Sequence, residues 1–236
     1  MKSKRLIQFL IPVLVAALVS GCASTDVSDT QINYVGQLPR PNTIWVYRFA
    51  ATPSDMPANA SIAGQFDPQI AQTPDQIAEG RRVGSEIASQ LIGAIVGMGL
   101  PARLAFSPSQ PQLNDLVIRG YLLSVNQGNA AERVGIGLGA GASELKAMVE
   151  VYQMTSQGLR KLGSGVADST GGKTPGGAAG LATLLATGNP VGLIVGGGMK
   201  VYQEENGSST VQGRAQQTAQ EIASRLQTRF QQQGWI

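Results

Sequence analysis

The pattern of apolar and polar positions predicts most of the secondary structure of this chain. β-Branched and aromatic residues dominate the first predicted strand, 43–49. Alternating or continuous apolar runs predict further strands at 102–106, 115–125, 144–154 and 159–168. Two longer stretches, about 73–98 and about 210–232, repeat apolar residues every three or four positions, which is typical of helices that bury one face.

The first predicted helix carries clear start and stop signals. Thr73 stands at the N-cap, Pro74 follows in the first turn, and Gln76 completes the spacing of a capping box. Gly99 and Pro101 end the helix. The order of elements predicts an α+β fold, with a mixed, largely antiparallel sheet and two long helices packed on one face.

A stretch at 174–199 differs from the rest, because it is uncharged and dense in glycine, alanine and leucine. Gly188, Gly192 and Gly196 are four residues apart, a spacing that lets helices approach closely, including in membranes. An Asn-Pro pair after Gly188 leaves two pieces that are each shorter than the roughly 20 residues of a bilayer span. We predict a Gly/Ala-rich helical hairpin before the C-terminal helix, with an oligomer or partner interface and a membrane-contacting hairpin as alternatives.

The N-terminal 21 residues have the features of a secretory signal peptide. Lys2, Lys4 and Arg5 form a basic start, and 6–18 is apolar apart from Gln8. This apolar core is shorter than the roughly 20 residues that a spanning helix needs. We therefore expect export followed by cleavage.

The end of this leader resembles a bacterial lipobox, with Val19, Ser20 and Gly21 before Cys22, the only cysteine of the chain. The resemblance implies that Cys22 becomes the first mature residue and carries a diacylglycerol and an N-acyl chain such as palmitate. Similarity to lipoprotein sorting in two-membrane bacteria implies the outer membrane, because Ala23 rather than aspartate follows the cysteine. A free cysteine after an ordinary signal peptide is the alternative.

The chain divides into three predicted parts. Residues 1–21 form the signal peptide, and 22–41 form the acylated N-terminus and a polar, flexible tether. Residues 42–236 form a single α+β domain with a Gly-rich insertion at 171–199.

Loss of the leader changes the charge balance. It lowers the number of Lys and Arg residues from 18 to 15, which equals the number of Asp and Glu residues. No cluster of Lys and Arg with interleaved aromatic residues occurs along the chain, so we expect no nucleic-acid partner.

Composition also narrows the possible chemistry. The chain lacks histidine, and lipid would occupy its one cysteine, which excludes His/Cys zinc sites and Ser-His-Asp triads. Glu144 and Glu150 share the polar face of a predicted strand, where we expect solvated charges rather than a catalytic pair. We therefore predict no catalytic residue, no metal site and no cofactor beyond the acyl groups on Cys22.

Several segments together resemble a known bacterial lipoprotein family, domain of unknown function 4410 (DUF4410). They are the Gly-rich run at 133–145, the strand at 149–152, the Gly188 turn before 196–198, and the closing helix that ends at 234–235. The resemblance covers nearly the whole mature chain and implies no activity or site residue. The order of elements is more loosely similar to that of the periplasmic domains of the curli secretion lipoprotein and of the Tol-system propeller protein.

These observations predict an outer-membrane-anchored periplasmic lipoprotein that is a non-enzymatic binding or assembly module of the cell envelope. Its expected partners are the membrane, through the lipid anchor, and a protein or envelope component. The alternative is a self-assembling secretion or pore-type lipoprotein that uses 174–199 as its oligomer or membrane interface.

Overall fold

The structure is a computed structural model that describes residues 24–57, 59–60, 72–106, 110–126, 143–170, 194–196 and 211–236. Its strands are β1 (Ser24–Ile32), β2 (Ile44–Val46), β3 (Ala102–Leu104), β4 (Leu116–Asn126), β5 (Glu144–Thr155), β6 (Gly158–Thr170) and β7 (Ile194–Gly196). Its helices are α1 (Pro74–Gly97) and α2 (Val211–Gln232).

Within the described residues the strands form one mixed sheet in the order β1-β6-β5-β4-β2-β3. The three longest pairings, β1 with β6, β6 with β5 and β5 with β4, are antiparallel. β2 runs parallel to β3 and β4, and β7 runs parallel to β4. The predicted α+β fold with a mixed sheet and two long helices is confirmed.

Helix α1 begins as the sequence predicts. The Thr73 hydroxyl accepts a hydrogen bond from the Gln76 backbone N–H at 3.2 Å, and the Thr73 N–H donates to Gln76 Oε1 at 2.8 Å. Gly99 follows the helix with a φ of 81°.

The main hydrophobic core lies between the two helices and one face of the sheet. Apolar side chains of α1 and α2 pack there against side chains of the strands, which include Ile44, Val46, Ile118, Val149 and Ala167. Neither helix is long and apolar enough to cross a membrane.

Two glycines let α1 approach the sheet closely around Phe49. The Phe49 N–H donates to the Gly84 carbonyl oxygen on α1 at 3.2 Å. A Cβ built on Gly84 would clash with the Phe49 carbonyl oxygen, and one on Gly120 of β4 would clash with the Phe49 ring. The Phe49 side chain therefore fills space that both missing side chains leave open.

The polar segment after Cys22 is not a tether throughout, which corrects the expectation for 22–41. Ser24–Ile32 form β1, an edge strand whose ends pair with Thr170 and Gly163 of β6. A Cβ on Gly163 would lie 2.6 Å from the Gln31 carbonyl oxygen, so a glycine there admits the β1 backbone. Strand pairing satisfies the hydrogen bonds of the backbone whatever the side chains are. The pattern of apolar residues therefore did not predict this strand.

The helical hairpin predicted for 174–199 is not confirmed. Ile194–Gly196 form β7 and lie beside Ser124 to Asn126 of β4, so Gly196 belongs to a strand rather than to a helix. β2 pairs with β4 only as far as Ile118, which leaves backbone donors and acceptors farther along β4 for β7. Gly188 and Gly192, with the remainder of 174–199, lie outside the described residues.

Strand pairing brings several chain segments to one end of the sheet. Ser24 lies beside Thr170, Thr170 beside Glu144, and Glu144 beside Asn126. Asn126 also lies beside Gly196. We call this the upper end of the sheet; β1 ends at Ile32, toward the opposite, lower end.

Candidate functional site

A buried carboxylate lies on the sheet face opposite the helices. Glu150 of β5 is fully buried. The Tyr121 and Tyr152 hydroxyls each donate to its Oε2 atom at 2.8 Å. The Lys161 Nζ lies 2.7 Å from its Oε1 atom.

The expectation that Glu150 is a solvated charge is therefore wrong. β5 lies between β4 and β6, and these neighbours bring Tyr121 and Lys161 around the carboxylate. Glu144, near the start of the same strand, keeps 34% of its side-chain exposure and pairs with Lys146 at 3.2 Å. Both acids have strands on both sides, but only Glu150 is surrounded by the side chains of Tyr121, Tyr152 and Lys161.

Burial and the Glu150 carboxylate raise the pKa of the Tyr121 and Tyr152 phenols above the ordinary value of 10. Since the unfolded phenols ionise near pH 10, the stability that this shift contributes is complete below pH 10 and is lost as the pH rises further. We expect the free energy of unfolding to fall above pH 10 by up to about 1.4 kcal/mol per pH unit for each tyrosine. Urea denaturation followed across this range measures the fall. In a Tyr121→Phe, Tyr152→Phe double variant the fall should be much shallower, and an unchanged slope would contradict the assignment.

Arginine–aromatic contacts form on the β2–β4 side of the sheet. The Arg119 guanidinium lies 5.1 Å from the Tyr152 ring centroid and 5.8 Å from that of Tyr47. The Arg103 guanidinium lies 4.2 Å from the Trp45 ring. These partners are far apart along the chain, so no local pattern of basic and aromatic residues predicts the contacts.

An apolar cleft of about 690 Å³ lies between α2 and the β1–β6 side of the sheet. Its floor includes Val149, Val151 and three small residues of β6: Gly163, Gly165 and Ala167. Side chains on and just after α2 form one wall, among them Ile222, Leu226, Phe230 and Trp235. Residues 30–38 form the opposite side. Small residues on β6 thus leave space beneath the helix.

Hydrogen bonds attach the segment after β1 to the end of α2. The Trp235 Nε1–H donates to the Leu38 carbonyl oxygen at 3.1 Å. The Leu38 N–H donates to Gln233 Oε1 at 2.7 Å, and Gln233 Nε2 donates to the Gly36 carbonyl oxygen at 3.1 Å. Gly234, with a φ of 69°, turns the chain so that the Trp235 ring lies 5.4 Å from the Phe230 ring. These bonds join two segments that line the cleft, the one before β2 and the one at the end of α2.

The charged residues of the cleft are basic. Among its described lining residues, only Arg225 and Arg229 are charged, and both are exposed on α2. Arg225 Nε lies 3.0 Å from Glu221 Oε1, and an Arg229 guanidinium N–H donates to Gln232 Oε1 at 2.9 Å. Ligand pockets typically measure about 300–1,000 Å³ and combine an apolar lining with a few polar groups. The cleft has this size and composition, and we take it as the candidate binding site.

Among the described residues, none of the site residues predicted from sequence lines this cleft. The predicted lipobox residues Val19, Ser20 and Gly21, with Cys22, lie outside the described residues, and Gly196 lies in β7. No group of three or more metal-ligating side chains occurs in the described ranges. Sequence reasoning missed the cleft because its walls come from three separate segments; the apolar stripe of α2 and Trp235 were its only signals.

Fold and cleft together define a class of protein: an α+β domain with two helices on one face of a mixed sheet and a recess beneath the C-terminal helix. A family model described as "Domain of unknown function (DUF4410)" matches residues 44–188, and the chain belongs to this family. This confirms the resemblance to DUF4410 over 44–188, whereas the lipoprotein part of the resemblance stays a prediction.

Solved structures that match this chain in a structural comparison include two PelC dodecamers from Paraburkholderia phytofirmans. The first, in space group P6, is 12% identical with a TM-score of 0.38; the alignment covers 83% of this chain and 98% of that one. The second, a leucine-to-methionine variant in space group C2, is 13% identical with a TM-score of 0.36 and the same coverage. A search of curated protein sequences found no match.

Proposed function

We propose that this protein is an outer-membrane-anchored lipoprotein whose periplasmic domain is a non-enzymatic binding and assembly module. The cleft beneath α2 carries the proposal, because it is preformed, apolar and about 690 Å³ in volume. Its walls provide apolar surface and positive charge for a partner.

The position of β1 supports anchoring of the domain by its upper end. Ser24 is only two residues after Cys22 and already pairs with Thr170. Acylation of Cys22 would therefore hold the upper end of the sheet close to the bilayer. The nine residues of β1 span about 30 Å at 3.3 Å per residue. The cleft, bordered by 30–38, would then face the periplasm.

The state of Glu150 supports the non-enzymatic part of the proposal. Its oxygen atoms accept from two tyrosine hydroxyls and contact a lysine, in a position without solvent exposure. A carboxylate held in this way stabilises the sheet and is not positioned to exchange protons with a substrate.

Lipidation is tested by growing cells with labelled palmitate. We expect the full-length protein to take up label and to sediment with the outer membrane in a sucrose gradient. Cys22→Ser should abolish labelling and release the protein into a soluble fraction, because the thioether can no longer form. Ser24→Ala, two residues away, is the matched control and should behave as the wild type. Label retained by Cys22→Ser would contradict the proposed anchor.

A second candidate function is self-assembly through 174–199, and β7 is the observation that favours it. Ile194–Gly196 bring part of this stretch to the upper end of the sheet, where β1 also begins. The mass of the mature protein in detergent, with and without 174–199, tests this candidate. A large assembly that dissociates on deletion would support it; a monomer that gives no liposome conductance would rule it out.

A further inference from the structure

We propose that the cleft binds an anionic single-chain amphiphile, with its fatty-acyl chain beneath α2 and its carboxylate or phosphate head at Arg225 and Arg229. The inference rests on the proposed function as a binding module and adds the chemistry of the ligand.

The dimensions of the cleft suit an extended chain. Its lining follows α2 from Ile222 to Gln232, which is about 15 Å at 1.5 Å per residue. Gly165 remains partly exposed on the floor, where a larger side chain would reduce the space. Each methylene that leaves water adds to the binding affinity, so a medium-length acyl chain gains substantial affinity from burial alone.

The charges favour an anionic head. Arg225 and Arg229 are four residues apart and therefore lie on the same side of α2. Glu221 partly balances Arg225, whereas the hydrogen-bond acceptor of Arg229 is the neutral amide of Gln232. Guanidinium groups bind carboxylates and phosphates through paired hydrogen bonds. An acyl chain in the cleft would place its head beside these two groups.

The geometry also separates this ligand from the protein's own anchor. Cys22 precedes Ser24 at the upper end of the sheet, whereas Arg229 lies in the last turn of α2, near the segment that contains Leu38. Acyl groups on Cys22 would lie in the membrane at the upper end. The amphiphile in the cleft is therefore a separate molecule, such as a fatty acid or a lysophospholipid, that enters from the periplasmic side.

The experiment uses the full mature chain with Cys22→Ser, which needs no detergent, and reads the fluorescence of Trp235. Trp235 lines the cleft, whereas Trp45 contacts Asp115 and Arg103 elsewhere, so Trp45→Phe leaves one reporter. Dodecanoate brominated at the carbon next to its carboxylate is the probe, because bromine quenches tryptophan at short range and Trp235 lies near Arg229 at the end of α2. We expect saturable quenching that unbrominated dodecanoate reverses by competition.

Charge variants test how the head is bound. Arg229→Glu should weaken dodecanoate binding about tenfold or more, because it places a carboxylate beside the ligand's carboxylate. The matched control is Arg48→Glu, an identical change at an exposed arginine beside Phe106, which should leave binding unchanged. Dodecyltrimethylammonium, which has the same chain length and a cationic head, should compete poorly with dodecanoate. Circular dichroism melting confirms that each variant is folded.

The inference would be overturned by the absence of saturable quenching in folded protein, by equal competition from the cationic amphiphile, or by unchanged binding in Arg229→Glu. Displacement of the probe by an apolar peptide at concentrations where dodecanoate has no effect would assign the cleft to a protein partner. That result would overturn the inference and leave the proposed binding module standing. Palmitate labelling tests the anchor independently, so the two failures are distinguishable.

Discussion

Gly84→Ala is expected to lower the free energy of unfolding by about 3 kcal/mol, measured by urea denaturation with far-UV circular dichroism. The added methyl group would meet the Phe49 carbonyl oxygen, which is backbone and cannot rotate away. The Phe49 N–H to Gly84 carbonyl hydrogen bond fixes the same spacing, so relief of the clash would break that bond. Alanine's higher helix propensity offsets only about 1 kcal/mol of this loss.

Gly93→Ala is the matched control on the same helix. Gly93 is exposed, and no atom lies within 4 Å of a Cβ built there. This substitution should raise the free energy of unfolding by about 0.5–1 kcal/mol through helix propensity and reduced entropy of the unfolded chain. Similar effects of the two substitutions would show that α1 does not approach the sheet as described.

Glu150→Ala is expected to lower the free energy of unfolding by about 3–5 kcal/mol, the usual cost of breaking a buried charged pair. The variant leaves the buried Tyr121 and Tyr152 hydroxyls without this acceptor and Lys161 without this carboxylate. Glu150→Gln, which keeps one acceptor oxygen and loses the charge, should give an intermediate loss. Thermal and urea unfolding measure both variants.

Glu144→Ala is the control for charge removal on the same strand. Its carboxylate is partly exposed and pairs with Lys146, so we expect a loss below about 1 kcal/mol. Comparable small losses at Glu144 and Glu150 would contradict the stabilising role of the buried network.

Local patterns predicted the long elements well, because their causes are local. The cap formed by Thr73 and Gln76 acts within one turn, and the apolar stripes of α1 and α2 follow from helical periodicity. The antiparallel strands β4, β5 and β6 were predicted within a few residues, since each has an apolar face toward the helices. These features identified the α+β fold, and the Gly-rich run at 133–145 lies within the stretch that the family model matches.

The sequence by itself determined the longer helices and strands of the chain and its family. Tertiary structure decided the pairing of β1, because the backbone of a polar strand bonds as well as that of an apolar one. It decided the burial of Glu150 by bringing the side chains of Tyr121 and Lys161 to it from the two neighbouring strands. It placed Gly196 in a strand through pairing with the backbone of β4. It also formed the cleft, whose volume depends on the distance between α2 and β6 rather than on any local pattern.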